Sequence, residues 1–201
     1  MRRYFILCVI LIVVCACTNK KGDSDDMECS CPHATIYLQP YEDFSKEEAE
    51  KLVPKLEEEF GTWLYGGWTF KVLSPKKLPK ESFVKSRNRY RAMTIMKNEL
   101  KNLKGEEIII GLTHKDICAY AHGVQDYGIV GMNLKRRQVC IASDKRLSNK
   151  SDYWKPILHE FIHTFYGAKH CPNDDPKCFM KNAKGKGTFH IQDHLCDKCK
   201  Q

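Results

Sequence analysis

The sequence predicts an α+β domain, a mixed β-sheet packed with helices. Three observations predict it. Strand-like and helix-spaced segments alternate over the first half, several strand segments then run together, and an apolar helix rich in histidine follows them. At 201 residues the chain suffices for one well-packed domain and is short for two. An apolar fraction of 42% with both charge signs present excludes wholesale disorder. No internal repeat runs through it, which excludes a solenoid or propeller.

The first segment stands ahead of that fold. In "MRRYFILCVILIVVCAC", Arg2 and Arg3 precede an apolar run from Tyr4 to Val14. This is the layout of a secretory signal and too short for a comfortable membrane span. Its end, "VCAC", resembles a bacterial lipobox. On that resemblance residues 1–16 are a removed signal peptide and Cys17 carries lipid, so the protein is expected to be exported and lipid-anchored to the bacterial cell envelope membrane. A plain secreted protein cleaved nearby is the alternative. Residues 17–31 then comprise the lipidated cysteine and a polar, flexible tether, and 32–201 the folded domain. Loss of Arg2 and Arg3 lowers the net charge from +8 to +6. The basic stretch "SPKKLPKESFVKSRNRYR" reads as a solvated face, and no nucleic-acid partner is expected.

Within the domain, Pro32 to Gln39 reads as a first strand. Ser45 and Glu48 form a capping box, with Phe44 and Ala49 as a staple. Leu52, Val53, Leu56 and Phe60 recur at helical spacing, Pro54 bends the helix, and Gly61 ends it. "WTFKVLSP" is a second strand. Met93, Met96, Leu100 and Leu103 mark a core-facing stripe on a helix from Asn88 to Leu103, closed by Gly105. "EEIIIGLT", "YGIVGMNL" and "RQVCIAS" are strands.

The last helix carries "PILHEFIHTFYGAKHC", residues 156–171. Asp152 is its expected cap, and Pro156 falls in its first turn, where a missing N–H costs little. His159 and His163 are four apart, hence rotated by about 40° and separated by about 6 Å along the axis, so both imidazoles reach one ion. Glu160 points past that ion, where it can touch a water without being a ligand: the HExxH arrangement of two ligands and a base. A tetrahedral zinc needs a third ligand. On a continued helix His170 would lie about 10 Å further along. Gly167 supplies the break, because glycine takes the left-handed conformation that ends a helix and turns the chain back. A buried helix that happens to hold histidines is the bland reading, and the downstream glycine, histidine and cysteines weigh against it.

Eight cysteines remain after Cys8, Cys15 and Cys17 are set aside. An even number in an exported chain favours disulfides. The "CDKC" pair Cys196 and Cys199, with Cys171 and Cys178, has the layout of a closed thiolate zinc site, which would hold a loop-rich tail. Strain in the small ring of a CxxC disulfide weighs toward zinc, and both readings stay open. Cys118 and Cys140 lie in apolar strand segments, as buried thiols or a cross-strand bond. Cys29 and Cys31 sit at the domain's edge with no assigned partner.

"HEFIHTFYGAKHC", then "CFM" and "CDKC", resembles the archaemetzincins, zinc metallopeptidases of the metzincin group. The likeness is specific over residues 156–199. It implies a metzincin-like fold with a small Cys-rich C-terminal zinc-bound segment, and two zinc ions as cofactors. His159, His163 and His170 would bind catalytic zinc, Glu160 would be the base, and Met180 would be the methionine of the turn beneath the metal. Cys171, Cys178, Cys196 and Cys199 would hold structural zinc. The strand before the helix, within "YGIVGMNL", would align substrate along its edge.

The sequence departs from that pattern in places. Thr164, Phe165 and Tyr166 separate His163 from Gly167 where the family has two residues, and six residues rather than four separate Cys171 from Cys178. An added helical residue rotates the exit by about 100°, which leaves His190 or His194 as substitutes for His170. The expectation is a monomeric peptidase acting on peptide or protein substrates, with amino-terminal trimming and internal cleavage both open. The rival is a lipid-anchored module that keeps the metal site without turnover.

Overall fold

The computed structural model describes residues 33–103, 105, 107–134, 138–182, 184 and 188–200. The signal segment 1–16, Cys17, the tether to residue 31, and Cys29 and Cys31 lie outside the described residues. No described helix is long and apolar enough to cross a membrane.

Strands β1 (His33–Pro40), β2 (Gly67–Val72), β5 (Ile108–Thr113), β8 (Gly131–Leu134) and β9 (Val139–Ser143) form a sheet of order β2-β1-β5-β9-β8. All neighbours run parallel except β8, which lies antiparallel to β9 at the edge. Every residue of β5 is buried, as a strand covered on both faces requires. Side chains alternate between two cores. Ile108, Ile110 and Leu112 face helices α1 (Lys46–Trp63) and α3 (Trp154–Phe165), with Leu56, Phe60, Ile157 and Phe161. Ile109, Val139 and Ile141 face α2 (Ala92–Leu100), with Ile95 and Met96. Strands β3 (Phe83–Val84), β4 (Arg89–Arg91), β6 (Ile117–Ala121) and β7 (Val124–Ile129) make a second small sheet. The α+β expectation stands.

The capping box is present. The Glu48 N–H donates to Ser45 Oγ at 3.1 Å and the Ser45 N–H to Glu48 Oε2 at 2.9 Å. Other boundaries differ. Helix α1 runs through Gly61 to Trp63, because Leu64 still donates to the Phe60 carbonyl at 2.8 Å; the turn comes at Gly66, with φ 137°. The helix expected from Asn88 starts at Ala92. Asn88 is left-handed, and Arg89–Arg91 pair with β3 and β6 instead. "YGIVGMNL" is two strands in two sheets, broken at Val130. Asp152 does not cap α3. It pairs with Lys155 at 2.9 Å, and Tyr153 precedes the helix. The Tyr153 hydroxyl donates to the Ala142 carbonyl at 2.7 Å, fixing the start of α3 on the sheet.

Candidate metal centre

Helix α3 is buried along nearly its whole length and presents His159, Glu160 and His163 toward β8 and the tail. It ends at Phe165, and Gly167 then takes φ 65°, the left-handed turn that the sequence argument required. The turn brings His170 back. Its ring centroid lies 5.4 Å from that of His159 and 4.7 Å from that of His163. One ring nitrogen from each of the three lies within 4.8 Å of the other two. The extra residue before Gly167 is therefore absorbed in the exit turn. Neither substitute joins the group. The His194 ring is engaged by Asp193 at 2.7 Å and Asp175 at 3.0 Å, and His190 Nδ1 lies 3.3 Å from Ser148 Oγ.

Two carbonyls set the chemistry of the rings. His159 Nδ1 is 2.6 Å from the Phe179 carbonyl, and His163 Nδ1 is 2.7 Å from the Ala168 carbonyl. A carbonyl only accepts, so each Nδ1 carries the proton and each Nε2 a lone pair. Those two Nε2 atoms face one another at 3.0 Å. Lone pairs so placed repel unless a cation lies between them. A proton is a poor candidate, since burial, and then the charges of His163 and His170, push His159 down to about 3. Zinc–nitrogen bonds of about 2.0–2.1 Å put tetrahedral nitrogens about 3.3 Å apart, so the set fits a zinc ion.

Glu160 sits beside this group, buried, and takes a hydrogen bond from Asn133 Nδ2 to Oε2 at 3.0 Å. Burial pushes its carboxyl up to about 7, against the lowering effect of Asn133. Gly131 makes room for it. A Cβ there would meet Glu160 Cγ at 2.6 Å and Oε1 at 2.7 Å. The three histidines and Glu160 open onto a cleft of about 600 Å³. Edge strand β8 forms one side, and Tyr127, Lys184 and Phe189 line it as well. Met93, expected in the core, lines this cleft, while Met96 is in the core.

Cys171, Cys178, Cys196 and Cys199 bring their four sulfurs within 4.8 Å of one another, as thiols rather than disulfides. The Cys171 and Cys196 sulfurs are 3.6 Å apart, far from a bonded pair at about 2.05 Å and close to the roughly 3.8 Å edge of a zinc thiolate tetrahedron. Burial pushes Cys178 up to about 11 and raises Cys199 further, whereas hydrogen bonds from Lys198 and the other thiols outweigh burial and lower Cys196. Four thiolates would coexist there only around a cation. Met180 is fully buried, one residue past the Phe179 carbonyl that orients His159. Cys118 and Cys140 are buried free thiols on different sheets, not a cross-strand pair.

Sequence reasoning missed Asn133, Gly131 and the two orienting carbonyls. Backbone acceptors leave no trace in side-chain identity. Asn133 gave only its place in a strand expected to border the site.

No protein-family model matches the chain, and no curated protein matches it. Solved structures do. An archaemetzincin from Methanopyrus kandleri is 25% identical, over 83% of this chain and 91% of its own, with a TM-score of 0.69. An archaemetzincin from Archaeoglobus fulgidus, solved with malonate, is 24% identical over 82% and 97%, with a TM-score of 0.63. A zinc-dependent peptidase from Methanocorpusculum labreanum is 19% identical over 81% and 97%, with a TM-score of 0.62. The chain is archaemetzincin-like in fold, and that likeness extends well beyond the histidine motif.

Proposed function

We propose that this archaemetzincin-like chain is a zinc-dependent peptidase that hydrolyses peptide bonds with Glu160 as general base. The carrying observation is the pair of Nε2 lone pairs 3.0 Å apart, with both ring protons committed to carbonyls and a buried carboxylate beside them. His159, His163 and His170 would hold one zinc ion, and the four C-terminal cysteines a second, structural one. Bound zinc supplies Lewis acidity, lowering the pKa of a water and polarising the scissile carbonyl.

The chain's own groups do the rest. Glu160 accepts the proton of the attacking water and hands it to the leaving amine. Asn133 holds Oε2 meanwhile, and the space over Gly131 keeps the carboxylate against β8. The outer edge of β8 offers backbone donors and acceptors along which an extended peptide can pair. The substrate is a peptide or protein, taken by a monomer that Cys17 tethers to the envelope membrane.

Elemental analysis of purified protein together with digestion of a mixed peptide library tests the reading. Two zinc ions and cleavage are expected. Zinc without cleavage would favour the non-catalytic module, and no metal at all would end the proposal.

A further inference from the structure

Two of the three imidazoles are placed by residues adjacent in sequence to the cysteine cluster. His159 gives its Nδ1 proton to the Phe179 carbonyl at 2.6 Å, and Phe179 directly follows Cys178. His170 directly precedes Cys171. The two sides are tied together, since the Cys171 N–H donates to the Met180 carbonyl at 2.8 Å. The Phe179 N–H donates to the His194 carbonyl at 2.7 Å, two residues before Cys196. His163 Nδ1 instead meets the Ala168 carbonyl, in the exit turn of the helix.

Phe179, Met180, Phe189 and Leu195 pin the tail to the core, but its backbone has little regular structure of its own. Among its described residues the regular structure amounts to one turn of 3₁₀ helix, Thr188–Ile191, and an isolated bridge between Cys178 and His194. Segments this poor in regular structure commonly draw their order from a metal cross-link.

We propose that the four-cysteine centre is a positioning device for the histidine centre: metal held by the thiols locks the Cys178–Met180 strip, sets the Phe179 carbonyl against His159, and thereby raises the metal affinity of the three histidines. This rests on the metal reading given above. Phe179 acts through its backbone and touches neither the ion nor the substrate. The coupling is reciprocal, because two linked binding equilibria share one interaction free energy.

Two measurements on the full, reduced, metal-stripped chain test it. In the first, cobalt(II) is titrated against a competing chelator; thiolate charge-transfer absorption reports the cysteine centre and visible ligand-field absorption the histidine centre. Cys199→Ser should weaken the histidine centre about 10–100-fold, the usual cost of losing a ligand's outer support. Unchanged affinity would overturn the proposal. The second needs no cysteine variant and so survives a misfolded Cys199→Ser protein. In His163→Ala, one equivalent of zinc should fill the thiols and sharpen the ¹⁵N imidazole signals of His159 into a single Nδ1-protonated tautomer. Signals identical before and after that equivalent would also overturn it. A wild-type chain that shows the thiolate band but takes no metal at its histidines would instead defeat the peptidase reading, and the coupling with it.

Discussion

Asn133 on the edge strand donates to Glu160 on the last helix at 3.0 Å, across a contact that only a glycine at 131 leaves open. The strand that borders the cleft is therefore also the strand that holds the carboxylate. Asn133→Ala should lower turnover about 10–100-fold while leaving zinc content intact. Peptide hydrolysis alongside elemental analysis checks this, and unchanged turnover would show that the bond is not used. Glu160→Gln should keep the metal and lose about 10²–10⁴-fold in rate, the usual contribution of a general base.

Gly131→Ala forces a methyl to within 2.6 Å of Glu160 Cγ. Either the carboxylate or the strand must move, at a cost of about 1–3 kcal/mol for overpacking. Thermal unfolding should register the loss, and activity should fall further than stability alone explains.

His170 and His194 are two of the three histidines that the sequence offers as third ligand. His170→Ala should weaken zinc binding at the histidine centre, whereas His194→Ala should not, because the His194 ring is turned toward Asp175 and Asp193. Chelator competition on the two variants reads the difference directly. The opposite ranking would return the ligand to His194.

The capping box offers a test remote from the site. Ser45→Ala should cost about 1 kcal/mol of stability by denaturant unfolding. The hydrogen bond from the Ser45 backbone holds Glu48 below the usual carboxylate range, against slight desolvation. A depressed folded pKa adds stability above the unfolded value that is lost as pH falls through the folded one. Glu48→Gln should therefore flatten the acid limb of the stability curve and change little near neutrality.

Much of the candidate metal centre was legible because it obeys local rules. Four-residue helical spacing fixes His159 against His163, and a left-handed glycine ends the helix whatever surrounds it. Strands β5 and β9 announced themselves as apolar runs that the sheet buries, and β1 by its alternation. What escaped was decided by partners distant in sequence. Arg89–Arg91 lie in a segment of helical spacing but extend because β3 and β6 pair with them. Gly61 stays helical because the chain around it is already packed on Phe60 and Trp63. The break at Val130 splits one apolar run between two sheets, which no two-residue period reveals.

Strand β5 lies between neighbours drawn from residues 33–40 and 139–143. A nascent chain thus carries an apolar ribbon with one flank bare until Ser143 has been made. Pairings of such wide sequence separation slow folding and lengthen the interval in which that flank can stick to another molecule. For this molecule the hazardous moment comes before either cluster of candidate ligand side chains exists, so added zinc should do nothing to shorten it.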